Sequence, residues 1–143
     1  MSQHIIGALS AITVALLLLC IIYVPATAED HGQWANQPPE IRAWYQDATL
    51  TPAAQKRFGF VPCCEYAEVV RTKFKVDSSS GAPQWWYLDE TSQKYLRIPD
   101  DIIHWDEAAP DNKPTLFRLN IDVMNGAVPA GTLTCFYPPG GAV

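Results

Sequence analysis

The stretch from Phe58 to Val70, "FGFVPCCEYAEVV", decides how this chain divides. Before Gly59 the apolar residues recur at helical spacing; from Tyr66 onward apolar and polar residues alternate. Two adjacent cysteines, Cys63 and Cys64, sit at the change of pattern. They can serve as a disulfide hub, a metal site, a redox pair or a nucleophile.

Working backward, "PEIRAWYQDA" places Ile41, Trp44, Tyr45 and Ala48 at i, i+3, i+4 and i+7, one face of a helix. Pro39 suits the first turn, and Glu40 lies near the positive end of the helix dipole. "TPAAQKRFGF" predicts a second short helix, with Thr51 as cap, Pro52 at the first helical position and Gly59 as terminator. Working forward, "YAEVVRTKFKVD" predicts a strand. Val70, Thr72, Phe74 and Val76 share one face, and Val69, Arg71, Lys73 and Lys75 the other. "QWWYLD", "KYLRIP", "TLFRLNID" and "TLTCFY" predict four more. The expected class is α+β: one or two short N-terminal helices, then a small, mainly antiparallel five-stranded curved sheet or SH3-like barrel.

Residues 1–28 read as a signal peptide or N-terminal membrane anchor. Ile5 to Val24 carries no charge and is long enough to cross a bilayer as a helix. Ala26-Thr27-Ala28 then offers the small-x-small pattern of signal peptidase cleavage. Either reading puts the body of the protein across the membrane: periplasmic or secreted, alternatively anchored to the inner membrane with the domain outside the cytoplasm. Residues 29–38 read as a linker, 39–138 as one globular domain and 139–143 as a tail. All 10 Lys and Arg and all 15 Asp and Glu follow Ala28, for a net charge of −5. That balance offers no general attraction to nucleic acid. Membrane contact is expected only if the apolar N-terminus is retained.

Cys63, Cys64 and Cys135 follow the export segment, and an odd number cannot all pair within one chain. Export favours oxidation. A Cys63–Cys64 bond would close a strained ring. A bridge to Cys135 instead encloses about 70 residues, which the loop-entropy relation values at roughly 4 kcal/mol. Carrying the strand alternation back from Val70 puts Cys64 on the inward face. Cys64–Cys135 is therefore the expected bond, with Cys63 the alternative to Cys64.

Taken together, Cys63-Cys64, Pro99-Asp100-Asp101 and Cys135-Phe136 resemble a group of small exported bacterial proteins of unknown function. Their pattern is "CC", then "PDD", then "CF-x-P". The resemblance runs from about Trp44 to Gly141. It differs in having "CCEYAE" where the group has an Ala-Asp pair after the cysteines. It implies an envelope location and a shared fold, and brings no catalytic residues.

Four constellations could carry chemistry. Cys63 or Cys64 could act as a nucleophile with His104 as base and Asp106 as orienting carboxylate. Cys63, Cys64, Cys135 and His104 could hold zinc, although the adjacent cysteines lack C-x-x-C spacing. Trp85 and Tyr87 alternate with Trp86 and Leu88. One set then fills the core, and the other meets Trp44 and Tyr45 or forms a surface for a glycan or peptide. The basic row Arg71, Lys73 and Lys75 is either a solvated strand edge or a seat for an acidic partner or anionic envelope polymer. The expectation is an exported envelope binding or interaction module, stabilised by a disulfide, acting on an envelope protein or glycan. No catalytic residue, metal or cofactor is expected. The alternative is a thiol-dependent enzyme or redox or metal-binding protein using Cys63 or Cys64 with His104.

Overall fold

A computed structural model describes Gly32 and residues 34–140 of the chain. The export segment 1–28 lies outside the described residues, as do parts of the expected linker and tail. Among the described residues no helix is long and apolar enough to cross a membrane.

Helix α1 (Pro39–Asp47) buries Ile41 and Tyr45 one turn apart, and Ala48 just past its end is also buried. Helix α2 (Pro52–Phe58) starts where the Thr51 hydroxyl accepts a hydrogen bond from the Ala54 N–H at 3.1 Å. It stops at Gly59, whose φ of 80° is one that other residues adopt only at a cost. The segments flanking α2 run beside each other. Leu50 N–H donates to the Val61 carbonyl, and Cys63 N–H donates to the Ala48 carbonyl, both at 2.9 Å.

Among the described residues six strands follow: β1 (Ala67–Val70), β2 (Phe74–Asp77), β3 (Gln84–Asp89), β4 (Lys94–Arg97), β5 (Thr115–Leu119) and β6 (Leu133–Tyr137). They form two three-stranded antiparallel sheets, ordered β1-β5-β6 and β2-β3-β4. The protein is thus α+β, as expected, but with six strands in two sheets rather than five in one. The extra strand arises because "YAEVVRTKFKVD" breaks at Arg71–Lys73. The Thr72 hydroxyl donates to the Leu88 carbonyl at 2.7 Å, and Leu88 N–H donates to the Lys73 carbonyl at 2.9 Å. These two bonds clamp the corner to the end of β3, so the chain leaves the first sheet and enters the second there.

The core is aromatic. Trp34, inside the stretch read as linker, is buried with its ring 5.4 Å from that of Tyr45. Trp44 meets Tyr137 at 4.6 Å and Tyr45 meets Phe117 edge-on at 5.1 Å, so α1 packs on β5 and β6 rather than on β3. Phe136 joins the two sheets, with Phe74 at 5.5 Å and Trp85 at 5.3 Å.

The disulfide links Cys63 to Cys135 across 72 positions, correcting the preference for Cys64. The parity argument failed because β1 begins only at Ala67. Between it and the cysteines the chain turns, with Ala67 N–H donating to the Cys64 carbonyl at 3.2 Å. Cys64 is the free thiol and is buried.

Candidate functional site

The corner between β1 and β2 carries an open cleft of about 560 Å³. Its floor is apolar, built from Val70, Phe74, Leu88 and Pro114, and its rim carries Arg71, Lys73, Lys113 and Glu90. The corner clamp explains the geometry. Thr72 turns inward to hold β3, so its neighbours Arg71 and Lys73 are left on the cleft side, exposed. Lys113 arrives from the loop before β5 and lies 3.8 Å from the Asp111 carboxylate. Arg71 and Lys73 form no ion pair among the described residues. Burial raises the Tyr45 pKa, and the nearby Arg71 guanidinium opposes the rise. The Arg71 guanidinium also forms a side-chain hydrogen bond with Tyr45, so the head of this side chain spans from the cleft to the helix–sheet core.

The basic row anticipated from the sequence is divided. Arg71 and Lys73 line the cleft, whereas Lys75 lies over two rings, 5.2 Å from the centre of Trp86 and 4.4 Å from that of Tyr95. Strand register accounts for this: Lys75 pairs with Trp86, and Tyr95 pairs with Leu88 two residues along the same face. Trp85 and Tyr87 belong to no surface. Alternation turns them inward, and both are buried, Trp85 against Phe136. Trp86 is the half-buried ring on the outer face.

The thiol constellation does not assemble as drawn. Cys63 is oxidised, and burial pushes the Cys64 thiol well above its ordinary value, away from the thiolate a nucleophile needs. His104 stacks on Tyr137 with centroids 4.2 Å apart. Its Nδ1 lies 3.6 Å from a carboxylate oxygen of Glu107, so Glu107 stands where Asp106 was expected. Burial lowers the His104 pKa, while the Glu107 carboxylate and the Thr49 carbonyl oppose the fall. Nε2 of His104 is buried without a hydrogen-bond partner among the described residues. Desolvation also raises the Tyr137 hydroxyl far above the ordinary tyrosine range. Among the described residues no group of three His, Cys, Asp or Glu side chains is placed to hold a metal ion.

Beside the disulfide is a smaller apolar pocket of about 150 Å³, lined by Cys63, Phe60, Pro62, Leu119 and Met124 among others. Met124 is half exposed and holds a φ of 52°, a left-handed conformation uncommon for a residue with a large side chain.

Sequence reasoning missed Lys113, Pro114, Leu88 and Glu90 as cleft residues. They come from two separate segments, the end of β3 and the loop before β5, and only the doubling of the chain at Arg71–Lys73 brings them together with it. The chain matches no family model, no curated protein and no solved structure.

Proposed function

We propose that this chain is an exported binding module of the bacterial envelope, with the β1–β2 corner as its binding site. The observation that carries this reading is the corner cleft. Two cations without ion pairs, Arg71 and Lys73, flank an apolar floor in a chain of net charge −5. Cations left unpaired in an acidic protein stand ready for an external anion, and the apolar floor adds area that water leaves on binding. The Cys63–Cys135 bond supports the same reading, since it holds the cleft's scaffold together in an oxidising compartment.

In this proposal the two sheets act as one barrel-like unit through Phe136. The apolar stretch Ile5–Val24 directs the domain to the periplasm or tethers it to the inner membrane, and the partner is an envelope protein or glycan. The "CC", "PDD" and "CF-x-P" pattern then belongs to the scaffold. Cys63 and Cys135 form its bridge, while Asp100 pairs with Arg97 at 2.6 Å and Asp101 with Arg57 at 2.7 Å.

The test is a pull-down from native envelope with the full-length protein, alongside an Arg71→Glu/Lys73→Glu variant of equal thermal stability. Intact-mass measurement of the bait reports cleavage and disulfide state. The reading expects a bound species retained by the parent and lost by the variant. Recovery of the same species by both would remove the corner as the site, and recovery of nothing specific would remove the binding module.

A further inference from the structure

The cleft does not end at the corner. Past Arg71 it continues into a second depression of about 300 Å³ bordered by Pro38, Ile41, Asp111 and Lys113. In the other direction it opens into a third, of about 240 Å³, where Glu68, Asp89 and Glu90 face Arg71 and Arg118. Arg71 borders all three depressions, so together they make one trough. The trough has a charge pattern. At the centre Arg71, Lys73 and Lys113 outnumber the one carboxylate, Glu90, over an apolar floor, while further carboxylates collect toward both ends, with Glu40 and Asp111 on one side and Glu68 and Asp89 on the other.

Some of those end charges are already matched. The Arg118 guanidinium holds Glu68 at 2.7 Å, and Asp89 accepts from the Ser92 N–H at 2.9 Å, which lowers its pKa. Glu68 with Arg118 makes a near-neutral pair, whereas Asp89, held by a neutral N–H, stays negative and repels an approaching anion. A uniformly anionic polymer would therefore gain at the centre and lose beside Asp89, with no such excess of cations at either end. A ligand negative only in its middle gains at the centre without that loss.

Resting on the binding-module reading, we propose that the trough takes an extended peptide segment of a protein partner, with acidic residues at its centre and apolar side chains between them. Carboxylates would meet Arg71, Lys73 and Lys113, and the alternate apolar side chains would lie on Val70, Phe74, Leu88 and Pro114. The backbone N–H groups of Arg71, Thr72 and Lys73 donate no hydrogen bond to another described residue. They are thus open to the carbonyls of a peptide laid across the corner.

The test is fluorescence anisotropy with the full-length protein and three probes: a short labelled peptide alternating Glu with Val and capped at both ends by neutral residues, its Glu→Gln counterpart, and labelled dextran sulfate. The acidic peptide is expected to bind saturably, with affinity at least tenfold weaker for the Gln counterpart. A similar loss is expected for the Lys73→Gln and Lys113→Gln variants, whose side chains leave the core untouched. Equal binding of the two peptides, or binding indifferent to these variants, overturns the proposal. So does an absence of saturable peptide binding. Dextran sulfate binding that depends on Lys73, without peptide binding, also overturns the peptide assignment while leaving the binding-module reading intact.

Discussion

The two sheets meet through Phe136, which touches both Phe74 and Trp85, but are built for different work. In the β1-β5-β6 sheet, four of the five residues in each of β5 and β6 are buried. The disulfide anchors to that sheet through Cys135, and α1 packs on it through Trp44 and Tyr45. In the β2-β3-β4 sheet every residue of β4 is exposed, as are three of the four in β2. Its inner face contributes Trp85 and Tyr87, with Ile98 just past β4, and its outer face carries Lys75, Trp86 and Tyr95. The first sheet is where the folding free energy concentrates, because apolar area removed from water is the main favourable term. The second is a projecting hairpin pair, free to present side chains. The corner cleft lies at their junction, where a stable sheet hands the chain to an exposed one.

The largest test of that division is the staple. Replacing Cys63 and Cys135 together by Ala removes a bond spanning 72 positions. The loop-entropy relation puts the loss at about 4 kcal/mol, to be measured by urea unfolding under oxidising conditions. The same loss on adding reductant to the parent, with none in the variant, would confirm that the bond is responsible. A change below about 1 kcal/mol would mean that the first sheet holds without it.

Next comes Phe136, the ring that packs the two sheets together. Phe136→Ala empties a fully buried site touching Phe74 and Trp85. The expected cost is about 3 kcal/mol, and hydrogen exchange should show β3 losing protection earlier than β5. Loss of protection at the same rate in both sheets would show that they unfold as one unit, and the contrast would fail.

How much of this was legible in the sequence depended on how local the signal was. Both helices were legible because Thr51, Pro52 and Gly59 act within one turn of the backbone they cap, and Ile41 and Tyr45 mark a face by spacing alone. The break at Arg71–Lys73 was not, since apolar and polar residues keep alternating through it and neither Gly nor Pro marks the bend. That one omission hid the cleft, which exists only because the chain doubles there. The choice between Cys63 and Cys64 failed for a related reason: alternation was carried across a turn that resets it. Trp34 was hidden by its polar neighbours, which outnumber it in any window average although its ring reaches the core.

A smaller effect distinguishes the core around His104. Burial depresses the pKa of His104 below its ordinary 6.5, so as pH falls the unfolded chain binds this proton before the folded one. Its contribution is present in full above about pH 6.5 and is lost as pH falls from there through the lower folded-state value. Thermal unfolding at about pH 7.5 and about pH 5.5 should show the parent losing more melting temperature than His104→Phe, which keeps a ring on Tyr137. An equal loss in both would assign the acid sensitivity to groups other than His104.

The smallest effect concerns Lys75, the member of the basic row that the fold takes away from the cleft. Its ammonium lies over Tyr95 and Trp86 at the exposed outer face, where such a contact is worth about 0.5 kcal/mol. Lys75→Ala should therefore cost about that much in urea unfolding, and a double-mutant cycle with Tyr95→Ala should show that the two residues are coupled. The same variant separates structure from binding. Lys75 is held by aromatic rings while Lys73 has no ion pair among the described residues, so Lys75→Ala should leave retention of an acidic peptide unchanged where Lys73→Gln reduces it. If the two variants weakened retention equally, the row would be acting as one continuous charge along the edge of the second sheet. The junction between the sheets would then have no special part in recognition.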